Sequence, residues 1–131
     1  ATAKLVTKHK LTAAVWGHGG DAAVHVVPYM NLAKAKDRKL ALKLMDEFYG
    51  LVIKMGGTIA AEYGDGMAKG PYLEKLYGRE VVDVLQKVKQ ICDPDGIFNP
   101  EIKLGASKKS QEGRLRYEYS VGHPFDHLPH R

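Results

Sequence analysis

The chain has 131 residues, 44% of them hydrophobic, and one cysteine. That length supports a single globular domain, and a lone Cys92 excludes an internal disulfide. The net charge of +5 is spread along the chain with acids interleaved, as in "KLMDEF" and "REVVDVLQKVK", and reads as a solvated basic surface, not a nucleic-acid footprint.

No apolar run approaches the roughly 18 residues of a transmembrane helix, and no secretory signal pattern opens the sequence, so a reducing, cytoplasmic setting is expected. In chain order, residues 2–9, "TAKLVTKH", are compatible with the last turns of a helix. "LTAAVWGH" (11–18) and "AAVHVVPYM" (22–30) predict two strands, rich in valine and aromatics and joined by a glycine turn. Leu40, Leu44, Phe48, Leu51, Val52 and Met55 then recur at helical spacing. Asp37 is suited to cap that helix, and Gly56-Gly57 to end it in a left-handed turn.

"GTIAAEYG" (57–64) predicts a third strand, "DGMAKGP" a loop and "YLEKLYG" one or two helical turns. From Arg79, residues Val81, Val84, Leu85, Val88, Ile91 and Cys92 mark a second amphipathic helix. Cys92 lies on its apolar stripe and is expected to pack. Pro94 must end that helix, because it disfavours helical geometry at Asp93 and has no N–H to give. The order β-β-α-β-α predicts an α+β fold, a ferredoxin-like sandwich with helices on one face of a mainly antiparallel sheet. Residues 1–105 are expected to form the domain and 106–131 a polar tail.

The chemistry concentrates in "WGHGGDAAVH". A turn centred on Asp21 and Ala22 would set His18 directly opposite His25, on the same face, with Cβ atoms about 4.5–5.5 Å apart. Two imidazoles so placed can meet one ion at nitrogen–metal distances of about 2.0–2.1 Å, whereas a one-residue slip would part them. Glu62, at the end of the expected third strand, offers a third ligand. Two histidines and a carboxylate leave coordination positions open, which suits a working zinc, ferrous or manganese ion. Histidines that are merely solvated or hydrogen-bonded remain the competing reading.

Three stretches in order, "GHGGDAAVH", "GGTIAAEYGDGMAKGPYLEKLYG" and "VKQICDPDGIFNP", resemble the end of the C-terminal domain of FAD-linked oxidases. That group includes D-lactate dehydrogenases, glycolate oxidase flavin subunits and D-2-hydroxyglutarate dehydrogenases, and is related to vanillyl-alcohol oxidase. The resemblance spans about residues 10 to 105. In the family the first motif usually reads G-H-A-G-D-G-N-L-H and the second G-E-H-G, and metal-binding members use both histidines and the glutamate. The resemblance therefore implies His18, His25 and Glu62 as ligands of a divalent metal. The family's closing D-P-x-G-I-x-N-P places its asparagine by the flavin, which implies Asn99. The implied substrate is a small 2-hydroxy acid, whose α-carbon hydride passes to FAD while its hydroxyl loses a proton.

The sequence departs from the family where the proton chemistry lies. The histidine credited there as base is Tyr63 here, and a phenol, with an ordinary pKa of about 10, is a weak base near neutrality. Ala22 and Ala23 replace the motif's glycine and asparagine. Asp65-Gly66 match a branch of larger relatives fused to iron–sulfur modules. Lys69 falls where the family often has a basic residue and is a candidate to face a substrate carboxylate; a solvated loop lysine is the alternative.

Members of the resembled family bind FAD mainly through an N-terminal domain, and no G-x-G-x-x-G or other phosphate-cradling loop is present here, so the resemblance implies that FAD is held mainly by an N-terminal flavin-binding domain or subunit. Through that partner the protein would sit in the cytoplasm or at a membrane periphery. A second class stays open: an assembly domain without catalytic function that docks on the flavin partner. Trp16 and Tyr29 read as sheet-face or core residues and Asp21 as a turn acceptor. His123, His127 and His130 read as tail residues, because Pro124 and Pro129 break any continuous helical face.

Overall fold

The structure, a computed structural model, describes residues 1–115. The three tail histidines lie outside the described residues. Helix α1 spans Thr2–Lys8 and strands β1 and β2 span Ala13–His18 and Ala23–Pro28, joined by a 3-10 turn at Gly19–Asp21. Helix α2 covers Ala35–Lys54, α3 Gly66–Lys69, α4 Leu73–Tyr77, α5 Arg79–Cys92 and α6 Lys108–Gly113. The α+β class holds, with a two-stranded antiparallel sheet among the described residues.

The expected third strand is absent there. Residues 57–64 form turns, anchored by the buried side chain of Ile59. Ala61 (φ +39) and Gly64 (φ +65) are left-handed, so the segment cannot keep the extended backbone that a strand ladder requires.

The hairpin register also differs from expectation by two residues. Trp16 pairs with His25 and His18 with Ala23, because the loop holds four residues with Ala22 left-handed at φ +53. The turn closes through the Ala22 N–H donating to Gly19 O at 3.4 Å. Gly17 permits the approach of the strands: a Cβ there would sit 2.1 Å from Ala23 O. Since side chains alternate with period two, a two-residue shift leaves His18 and His25 on one face, as diagonal instead of direct neighbours.

Helix α2 ends as expected, with Gly56 left-handed at φ +75. Its start differs: Lys34 is the N-cap, and Asp37 instead accepts the Asn31 N–H at 3.1 Å, bending the preceding loop onto the first turn. The other face of the sheet, through Val26 and Pro28, meets α1 and α2 around an apolar cavity of about 360 Å³ that Leu5, Leu44 and Phe48 help line. Leu44, Ile59, Tyr72 and Leu73 are the buried apolar centre.

Helix α5 turns Val82 and Leu85 inward and leaves Val81, Val84, Val88 and Ile91 exposed. Cys92, expected to pack, is exposed with them, because the apolar stripe is broader than the part of the helix that α4 packs against. Beyond it, buried Asp93 accepts the Ile97 and Phe98 N–H groups at 2.8 and 3.0 Å and pairs with Lys89. The Lys89 bond is the main reason the Asp93 carboxyl titrates below its ordinary range, against the opposing effect of desolvation. At 106–115, where a polar tail was expected, Ser107 and Ser110 form a reciprocal cap on α6, and buried Gln111 donates to Ala68 O at 2.6 Å.

Candidate metal centre

The hairpin and the 60–64 loop bring the three expected ligands together. His18 Nε2 lies 3.0 Å from Glu62 Oε1, and His25 Nε2 lies 3.0 Å from Glu62 Oε2. One carboxylate thus spans two imidazoles, each on its own oxygen. The rings are edge-to-face with centroids 6.1 Å apart. Ligand atoms from all three residues lie within 4.8 Å of one another. Small side-chain rotations would close that to the roughly 3.3 Å between donors of a tetrahedral ion with bonds of about 2.0–2.1 Å.

Exposure divides the ligands. The His25 side chain is 12% exposed, against 58% for His18 and 38% for Glu62. His25 is held by aromatic neighbours: Trp16 stacks on it at 5.4 Å and 15°, and Tyr63 tilts against it at 5.3 Å. The cluster therefore has one sheltered imidazole, His25, and one exposed to solvent, His18. Trp16 is 50% exposed and Tyr63 76%, so both rings present surface to solvent beside His25. Trp16 was expected as a sheet-face or core residue; its position two residues before His18, hence on the same face, is the signal that places it beside the histidine cluster. Tyr29 is exposed, away from these contacts.

Lys69 is drawn into the protein. Its Nζ donates to Gly64 O at 2.8 Å and Ala60 O at 3.3 Å, on either side of Glu62. Burial lowers its pKa, an effect that nearby Asp65 partly opposes. Buried Asp65 is itself paired with Lys103 at 2.8 Å. Asn99 is left-handed at φ +48, in the loop that Asp93 organises beside exposed Ile97 and Phe98. No hydrogen bond or ion pair joins Asn99 to the histidine cluster among the described residues.

Residues 1–102 match the family described as FAD linked oxidases, C-terminal domain. The chain belongs to this family. Among its relatives, the glycolate oxidase subunit GlcD of Bacillus subtilis is 29% identical over 96 residues, 73% of this chain and 20% of that protein. D-2-hydroxyglutarate dehydrogenase of Haemophilus influenzae is 32% identical over 96 residues, 73% of this chain and 9% of that protein. D-lactate dehydrogenase of Anaerostipes hadrus is 31% identical over 86 residues, 65% of this chain and 18% of that protein. The chain thus spans a fifth or less of the length of these relatives. As a C-terminal domain of FAD-linked oxidases it is associated by family with FAD, and no helix among its described residues is long and apolar enough to cross a membrane.

Proposed function

We propose that this C-terminal domain carries the substrate-orienting centre of an FAD-dependent oxidoreductase acting on a D-2-hydroxy acid of the lactate, glycolate or 2-hydroxyglutarate class. The convergence of His18, His25 and Glu62 carries the proposal. Two imidazoles and a carboxylate suit Zn, Mn or Fe, and they leave positions for an α-hydroxyl and its carboxylate. When bound, such an ion supplies charge that fixes the substrate and stabilises a developing alkoxide, while FAD supplies the hydride acceptor.

The chain's own residues do the rest. His25, clasped between Trp16 and Tyr63, sets the position of the inner ligand. His18 and the outer edge of Glu62 border the open side, where substrate enters. Tyr63, exposed and packed against His25, takes the place of the family's base and is the group proposed to hydrogen-bond the substrate hydroxyl. Asn99 is proposed to face the flavin, an amide beside the apolar surface of Ile97 and Phe98. The remainder of the flavin site is assigned to the flavin-binding domain or subunit.

The test is anaerobic mixing of the FAD-loaded protein, this domain joined to its flavin-binding partner, with D-lactate, glycolate or D-2-hydroxyglutarate. Flavin bleaching by one of these acids, lost in Glu62→Gln and retained in Glu47→Gln, is the expected result. No bleaching with any of them, in a protein that binds metal, would favour the assembly role.

A further inference from the structure

The three ligands do not arrive on equally firm supports. His18 and His25 are fixed by the ladder of β1 and β2, but Glu62 rides on a loop with neither strand nor helix bonds from Thr58 to Gly64. Within that loop the Ala60 N–H donates to Thr58 Oγ at 3.2 Å, a local tie that does not reach residues 61–64. Ala61 and Gly64 are both left-handed, so the segment doubles back on itself at Glu62. One cation spans the two limbs: Lys69 Nζ reaches the carbonyl two residues before Glu62 and the carbonyl two residues after it, at 3.3 and 2.8 Å.

We infer that Lys69 is a positioning residue for Glu62, a clasp across the 60–64 loop that aims the carboxylate between the two imidazoles. The inference rests on the metal-centre reading above and assigns Lys69 a role different from contact with substrate. Two of its three ammonium protons are already given to main-chain carbonyls. The clasp has a rigid base. The Lys69 N–H donates to Asp65 O at 3.1 Å, closing the turn of α3, and Asp65 is tied to Lys103. Next to it, Gly70 presses so closely on Lys103 O and Ala106 Cβ that an added Cβ would stand 2.5 Å from each. Lys69 therefore ties α3 to both limbs of a loop that has no strand or helix bonds of its own. Supports of metal ligands outside the coordination sphere commonly govern affinity by one to two orders of magnitude.

The experiment compares the full chain with Lys69→Met, Lys69→Arg and Glu62→Gln, by calorimetric titration with Mn²⁺ and by amide hydrogen exchange without metal. Lys69→Met is expected to weaken Mn²⁺ binding about tenfold and to speed exchange across residues 60–64. Lys69→Arg, which keeps the charge and two donors, is expected to recover most of both. Wild-type chain that binds Mn²⁺ while Lys69→Met binds it equally well overturns the clasp. Mn²⁺ binding that is absent, or unchanged in Glu62→Gln, overturns the metal-centre reading instead. In that event exchange decides the clasp alone: unchanged exchange across 60–64 in Lys69→Met ends it, and faster exchange sustains it as a tie of the loop.

Discussion

Among the described residues, histidine meets glutamate in two places, and they are built for different ends. At the junction of α1 and α2, His9 Nε2 and Lys8 Nζ both lie 2.9 Å from the same oxygen of Glu47. At the hairpin, His18 and His25 lie 3.0 Å from separate oxygens of Glu62. Glu47 already faces a permanent cation, and its pKa is held down at about 2, chiefly by the hydrogen bond from His9 and then that from Lys8. A metal ion there would have to displace or abut an ammonium. Glu62 faces two imidazoles, each able to offer a lone pair in its neutral form. The first arrangement pins a helix to its neighbour, and the second leaves a carboxylate with partners that can become ligands.

The largest expected effect that would break this contrast is at Glu62. Glu62→Gln or His25→Ala is predicted to weaken divalent-metal binding by on the order of 100-fold or more, by removing a direct ligand. Calorimetric titration reads it, and Glu47→Gln should leave the affinity unchanged. Next is Gly17→Ala. Its Cβ would meet Ala23 O at 2.1 Å, so the hairpin must distort, at a cost of about 1–3 kcal/mol. Denaturant unfolding would report the loss, and metal affinity should fall with it because both histidines flank that approach.

A smaller effect comes from pH at the other pair. Glu47 has a folded pKa of about 2 against an ordinary 4.5. Its contribution is therefore present above about pH 4.5 and is lost as pH falls toward 2. The melting temperature of wild type should exceed that of Glu47→Gln at pH 6, and the gap should close between pH 4.5 and 2. Smallest is Lys8→Met, predicted to leave metal stoichiometry at one. Removing the ammonium still leaves Glu47 one imidazole short of the hairpin site. A second bound ion in that variant would erase the distinction between the two pairs.

Much of this was legible in the sequence, for reasons that can be located. Strand propensity around Trp16 and Val26 marked the hairpin, and the Gly56-Gly57 pair and Pro94 marked where α2 and α5 end. His18, His25 and Glu62 stood out by type and spacing and by resemblance to FAD-linked oxidases. The register did not, because it depends on the space at Gly17 and on Ala22 adopting a left-handed turn, neither of which leaves a periodic trace. The segment around Ile59 looked like a strand because β-propensity is local, whereas its positive φ values arise from the loop that delivers Glu62. Periodicity found the stripe Val81, Val84, Val88 and Ile91 but not its burial, because an apolar row records a face without recording what covers it. Lys69 was visible as a basic residue near the motif; that it turns back onto Ala60 and Gly64 required three-dimensional placement.

The central claim is that His18, His25 and Glu62 share one divalent ion, and anomalous diffraction at the zinc edge from crystals of the chain grown with Zn²⁺ tests it most directly. The account predicts one dominant peak about 2.0–2.2 Å from an imidazole nitrogen of each histidine and from a Glu62 oxygen. A dominant peak at His9 and Glu47, or no peak between the hairpin histidines and Glu62, would contradict it.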